Sequence, residues 1–306
     1  MLPRLTLACW LLLLFAGSAD ADSSEGLVLR YKFRKGEELT YVVEHQTVIE
    51  TKLGGAAPAR TDFRQTLDLR WKVEEVDKDG IAEISAKMLR CRVKVISPLV
   101  RGDYDTRDDR ASVPAIKILA QPLKALIGEE VRLRVDNRGL VREFKLSGNL
   151  KDALDKLKTV AGAAGAGNAI AFLTEDGLKG ILQLSGAVFP EEPILKGKSW
   201  SHKVNQPTPF GKLTLDARIT AQGTQLRERK KLEKLASQLK GTFTADPKFP
   251  AVKLTSASGT GAAFFDPQEG RLIEATLTQN TLLEARTQGQ ASSHRERTML
   301  TMKLAK

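Results

Sequence analysis

The chain has 306 residues, 48 of them basic and 37 acidic, giving a net charge of +11 at neutral pH, with 42% hydrophobic and 28% charged residues. That balance is ordinary for a globular protein and excludes a disordered or collagen-like chain. Two cysteines are too few for a disulfide-stapled scaffold.

Met1 to Arg4 form a short basic start, Leu5 to Phe15 an uncharged apolar run, and Ala16 to Ala21 a small-residue stretch. This pattern predicts a cleaved secretory signal peptide over residues 1–21. The apolar run is well short of the roughly 20 residues a spanning helix needs, so no transmembrane segment is expected after processing. The expected location is periplasmic, cell-envelope or extracellular. There the basic excess points to an anionic envelope component such as a glycan, a lipid headgroup or an acidic protein, and not to nucleic acid. Cys9 falls inside the leader, with six further apolar residues after it, which disfavours lipid attachment. Cys91 is then the single cysteine of the mature chain, and its alternation with Leu89 and Val93 predicts a buried thiol on an apolar strand face.

Leu27 to Phe33 and Leu39 to Leu53 alternate with period two and are predicted strands. A Gly/Ala/Pro loop over Gly54–Ala59 leads to a long hairpin, Phe63 to Val76 and Ile81 to Ile96, turning at Asp77–Gly80. The stretch from Ser97 to Pro122 is weakly patterned. Val131, Leu133 and Val135 alternate with Arg132 and Arg134, and Asp136–Gly139 turns the chain into Leu140 to Leu146, with Gly139 at the left-handed position. Leu150, Leu154 and Leu157 then repeat at helical spacing behind a predicted Asn149 N-cap, giving a helix over about Leu150–Val160. Ala161 to Ala171 reads as a small-residue linker. A second helix follows Thr174, with Leu178, Ile181 and Leu182 on one face, and ends before Pro190 and Pro193.

Strands return at Ser199–Val204, Lys212–Thr220, Leu254–Asp266, Arg271–Leu283 and Ser292–Leu304. Arg227 to Lys240 is ambiguous: Leu232, Leu235 and Leu239 fit a helix, but the absence of a breaker and the neighbouring strands favour a strand. The expected fold is mainly β, of α+β type. The expectation is one or more curved antiparallel sheets built from two β pseudo-repeats, 22–147 and 191–306, with a two-helix insertion over 148–190, packed as one continuous domain. The pseudo-repeat rests on Lys35-Gly36 against Lys196-Gly197, and on the Asp136–Gly139 and Asp266–Gly270 turns.

The segments Leu29–Gly36, Val73–Ala82, Val135–Val141 and Leu195–Trp200 resemble an uncharacterised family of exported bacterial proteins, a domain of unknown function. That resemblance implies no catalytic residues. The strand-helix-strand plan is also similar to the half-barrels of outer-membrane lipoprotein carriers (LolA-like), in which a curved sheet covered by helices holds an acyl chain. This second similarity is architectural, and fold alone does not give function.

Catalytic motifs are weak throughout. His45, His202 and His294 lack zinc-site spacing. Gly197-Lys198-Ser199 lacks the first glycine of a phosphate loop, and Glu75, Asp77 and Asp79 lack the twelfth ligand of a calcium loop. Ser256 to Gly261 has no nucleophile elbow. Enzymatic activity stays open without support, and no cofactor is expected. Asp103, Asp105, Asp108 and Asp109 form a candidate calcium cluster, against a solvated loop balanced by Arg101, Arg107 and Arg110. Arg90, Arg92 and Lys94 share one strand side, with Arg132 and Arg134 repeating the pattern, as a solvated sheet face does. The functional expectation is a non-enzymatic envelope structural or protein-interaction protein. The alternative is a carrier whose groove for a lipophilic molecule lies between the sheet and the helices, at Leu154, Leu157, Leu178, Ile181 and Leu182.

Overall fold

A computed structural model describes residues 26–163, 188–208, 210–249, 251–287 and 290–305. The expected leader, and the second predicted helix with Leu178, Ile181 and Leu182, lie outside the described residues. The elements are β1 (Glu38–Leu53), β2 (Ala59–Val76), β3 (Ala82–Ile96), β4 (Arg101–Asp105), β5 (Arg110–Ala111), α1 (Pro114–Ala125), β6 (Glu130–Val135), β7 (Val141–Leu146) and α2 (Gly148–Ala163). After them come β8 (Ser199–Thr208), β9 (Gly211–Arg227), β10 (Lys230–Ala245), β11 (Val252–Asp266), β12 (Arg271–Thr287) and β13 (Gln290–Leu304).

These strands form one antiparallel sheet in the order β5-β4-β3-β2-β1-β13-β12-β11-β10-β9-β8, with β6 pairing β3 and β7 pairing β6. The fold is mainly β, as the alternating sequence predicts, and the sheet does not close. β1 joins β13 along thirteen residue pairs, so the sheet runs unbroken from the N-terminal strands to the C-terminal ones.

The sheet curls back on itself. β12 and β8 are four strands apart in the order, about 19 Å in a flat sheet at about 4.8 Å per strand. Yet Gln279 Nε2 on β12 donates to Gln206 Oε1 on β8 at 3.2 Å. The curl passes over the middle of β11, where the successive inward residues Ala257, Gly259, Gly261 and Ala263 are all small. The run Ser256–Gly261, which carries no nucleophile elbow, is the small inner wall of this bend. A Cβ at Gly261 would lie 2.6 Å from Ser237 Oγ and 2.7 Å from the Thr276 carbonyl oxygen. Gly261→Val is therefore expected to destabilise the fold by about 2 kcal/mol through overpacking. The urea midpoint measures this, and a midpoint equal to the parent's would show that the wall has room.

Residues 26–33 are not the strand their alternation predicts. Leu27 makes a single bridge to Ile194. Beyond it, the Tyr31 amide donates to the Asn137 carbonyl and the Lys32 amide to the Gly270 carbonyl. The segment thus lies across two hairpin turns and exchanges its backbone bonds with them instead of a neighbouring strand. Its alternation buries Leu29 over one end of the curl, where Tyr31, Phe189 and Phe265 pack ring to ring.

Between β5 and β6 the weakly patterned stretch holds a full helix, α1, with Pro122 in its interior and Pro114 at its start. Ile116, Leu119 and Leu123 are buried from it, a stripe that the two prolines disguise in the sequence. Among the described residues there are two helices, and α1 precedes the expected insertion. α2 begins two residues before its predicted start, and its first turn is capped by Ser147 Oγ, which accepts the Leu150 amide at 3.1 Å, not by Asn149. It also runs on through Ala161–Ala163, where a linker is predicted. Arg227–Lys240 resolves into the β9–β10 hairpin. Its turn, Glu228-Arg229, has φ of 48° and 66°, the paired left-handed geometry that fits sheet twist.

In β3, Asp68 pairs with Arg90 and Leu69 with Met88, so Leu89 is a bulge. The inward set changes phase there, from Ile84, Ala86 and Met88 to Cys91, Val93 and Val95. Leu89 therefore does not share the Cys91 face and is 41% exposed. Cys91 is buried as expected. It accepts a hydrogen bond from Gln65 Nε2, and burial pushes its thiol up to about 12.

Candidate functional site

The inner faces of β2, β3, β6 and β7 meet the ends of α1 and α2 around an apolar cavity. Period-two alternation aims Leu69 and Trp71 from β2 and Met88 from β3 inward, Phe144 closes one side, and Leu150 and Leu154 of α2 form the roof. Two ionisable side chains, Lys87 and Glu129, line the cavity. Glu129 accepts the Ser147 hydroxyl at 2.8 Å, and Lys87 lies 3.5 Å from Glu130. The open volume is about 50 Å³, room for about four water-sized groups at roughly 10–15 Å³ each.

Trp71 brings a buried, unpaired polar group to this lining. Its ring stacks obliquely on Tyr41 at 5.0 Å, and its Nε1–H is buried with no hydrogen-bond partner among the described residues. A buried indole N–H left unpaired costs about 1–3 kcal/mol, and an acceptor atom entering the cavity would recover it. Tyr41 is buried by contrast with its hydroxyl satisfied, donating to the Leu272 carbonyl at 3.1 Å, and burial pushes that hydroxyl well above the usual tyrosine range.

Leu154 of the predicted groove lines the cavity. Leu157, one turn on, is fully buried in the main core, among side chains of both helices and the sheet. The sequence reading did not find Trp71, Met88 or Phe144. Unbroken alternation sets Met88 beside Arg90 and Arg92, and only the Leu89 bulge turns it inward; no local signal shows that three strands and a helix converge on these residues.

Of the four aspartates of β4 and its following turn, Asp105 and Asp109 are held by separate basic partners. Asp105 pairs with the Arg90 guanidinium, which holds its carboxyl below the usual range. Asp109 accepts Lys124 Nζ at 2.6 Å and the Tyr104 hydroxyl at 3.0 Å, with Lys124 the larger cause of its lowered pKa. The Asp103 carbonyl accepts the Ser112 hydroxyl, and Asp108 is exposed. Among the described residues no three His, Cys, Asp or Glu side chains group as a metal site. The basic strand faces are largely neutralised: Arg92 meets Asp68 at 3.0 Å, Arg132 meets Glu130 at 2.7 Å and Arg134 meets Glu143 at 3.1 Å.

No protein-family model and no curated protein matches the chain. Among solved structures it is similar to lipovitellin, described for its lipid-protein interactions, at 10% identity and a TM-score of 0.49, covering 90% of this chain and 26% of that one. The chain therefore spans about a quarter of the lipovitellin length. An outer membrane channel from Pseudomonas putida F1 aligns over 90% of this chain and 97% of its own at 7% identity and a TM-score of 0.23. OccAB4 of Acinetobacter baumannii aligns over 89% and 99% at 7% identity and a TM-score of 0.19. At these scores the likenesses extend to neither ligand nor activity. Among the described residues no helix is long and apolar enough to cross a membrane.

Proposed function

We propose that the protein is an exported binding protein for a lipophilic molecule carrying one hydrogen-bond acceptor, held between the curled sheet and helices α1 and α2. The unpartnered Trp71 Nε1–H at a mainly apolar cavity supports this reading over a purely structural role, since a cavity used only for packing gains nothing from a buried donor. Leu69, Met88, Phe144 and Leu154 supply the apolar contact, and Trp71 the orienting bond. The cavity as it stands accepts the head of such a molecule. A longer chain requires α2 to move off the sheet from its start at Ser147, the LolA-like arrangement of a helix over a half-barrel.

Decanoate methyl ester, followed by tryptophan fluorescence, tests this. Saturable binding is expected, weakened about tenfold in Trp71→Phe, or about 1.4 kcal/mol, and abolished in Leu154→Trp, whose side chain fills the cavity. Trp200→Phe serves as the control, since Trp200 already donates to the Val188 carbonyl at 2.7 Å. Equal affinity in the parent and Leu154→Trp would refute the site. N-terminal sequencing of secreted protein tests the expected cleavage that places it outside the cytosol.

A further inference from the structure

Both ends of the curled sheet carry ion pairs, among them Arg60 with Glu50 beside the β1–β2 turn. At the end closed by residues 26–33, the turns are tied by ion pairs: Arg34 to Glu269, Lys35 to Glu75 and Arg138 to Glu191. At the other end, strand direction brings together the β1–β2, β3–β4 and β10–β11 turns. There Leu53 is 65% exposed, Leu99 93% and Phe249 42%. Lys52, Lys248 and Lys253 stand exposed beside them, with no carboxylate within 4.0 Å among the described residues.

The turns form one rim. Gly54 donates its amide to the Ala291 carbonyl, tying the β1–β2 turn to the start of β13. Phe210, at the β8–β9 turn, stacks edge-on against both Phe249 and His294 at 5.7 and 5.6 Å. From β3 to β11 the rim spans five inter-strand steps, about 24 Å. A polar recess of about 730 Å³ opens within it, lined by Lys52, Lys253, Glu284 and Ser293.

We propose that this rim docks on an anionic lipid surface, with Leu53, Leu99 and Phe249 entering the boundary between headgroups and acyl chains and Lys52, Lys248 and Lys253 meeting the headgroups. Three features favour a bilayer over a folded protein. The apolar side chains are single wedges on separate short turns, so they do not make the contiguous patch a protein interface buries. Lys52 precedes Leu53, Lys248 precedes Phe249 and Arg101 follows two residues after Leu99, the basic-apolar pairing that interfacial segments use. The net charge of +11 draws the whole molecule toward an anionic surface. The docking is read from the rim alone and does not depend on occupancy of the Trp71 cavity.

Vesicle co-sedimentation of the purified protein tests it, with vesicles of phosphatidylcholine alone and with phosphatidylglycerol added. Binding to the anionic vesicles only, falling with salt, is the expected result. Lys52→Glu/Lys248→Glu/Lys253→Glu is expected to weaken it by about a hundredfold, at roughly fivefold per lysine, and Leu53→Asp/Phe249→Asp to a similar degree. Lys78→Glu/Lys231→Glu, the same kind of change at the opposite end, is expected to leave it within about threefold, as distance from the surface screens it. A fluorophore on Leu99→Cys shifts to the blue on anionic vesicles; Cys91, buried, does not take the label. Absence of sedimentation with anionic vesicles at low salt overturns the proposal and leaves the rim to a protein partner. Equal loss in the opposite-end variant overturns it in favour of net charge alone. All substituted positions are exposed, so unchanged circular dichroism accompanies each result.

Discussion

Phe265→Ala is expected to lower folding stability by about 4 kcal/mol, the middle of the range for removing a buried aromatic ring. The ring is fully buried on β11 and packs edge-on against Phe189 at 4.8 Å and Tyr31 at 5.1 Å. Those two residues come from chain segments outside the main ladder, so the ring holds residues 26–33 and the segment before β8 onto the end of the sheet. Truncation leaves a void and removes two aromatic pairs, each worth about 0.5–1.5 kcal/mol beyond area burial. Phe264→Ala, one residue away on the opposite side of the strand, is expected to cost far less. That ring is half-buried under the Arg227 guanidinium at 4.0 Å. Urea midpoints for the two variants check this, and equal shifts would show that the closed end is not held by the Phe265 cluster.

Stability is also expected to fall by about 2–3 kcal/mol between pH 7 and pH 4.5 because of His45. Burial lowers its pKa from the ordinary 6.5 to about 4, with Glu296 acting weakly in the opposite direction. Above pH 6.5 the ring is neutral in both folded and unfolded states and contributes nothing to the slope. As pH falls below 6.5 the unfolded chain takes up a proton that the folded chain refuses, so stability is lost through the window down to about 4. His202, also lowered by burial, adds to the loss with the same sign. The lowered carboxylates Asp105, Asp109, Glu130 and Glu143 work differently. Their stabilisation is present above the ordinary carboxylate range and lost as pH falls through their depressed values, below this window. His45→Leu is therefore expected to flatten the urea midpoint between pH 7 and 4.5 while leaving acid unfolding at lower pH in place. An unchanged slope would mean that His45 is not the group responsible.

How far the sequence could be read differs from one element to the next, for physical reasons. β1, β2, β3, β12 and β13 were legible because long antiparallel strands with one face inward impose a period of two that no helix reproduces. β10 was half legible. Leu235 and Leu239, four residues apart, share a face in either a helix or a strand, and the hairpin that decides between them uses Glu228-Arg229 in place of a glycine turn. α1 was not legible, since Pro122 reads as a breaker when only the local chain is weighed, and the stripe buried by Ile116, Leu119 and Leu123 prevails only once the sheet is beneath it. The candidate site was legible in one residue, Leu154. Trp71 gave no signal, because an indole on a predicted inward face normally finds a partner.

Local alternation, turn residues and composition determine, from the sequence alone, which side chains share a strand face, where most hairpins reverse and that the protein is a mainly β, basic chain. They do so because backbone geometry ties those features to residues only a few positions apart. Tertiary structure alone decides that β1 pairs with β13, that the sheet bends over the small residues of β11, and that Trp71 meets Leu154 beneath α2. Those contacts join positions tens to hundreds of residues apart, and each forms only when the summed burial of the whole curled sheet outweighs the entropy of closing such long loops.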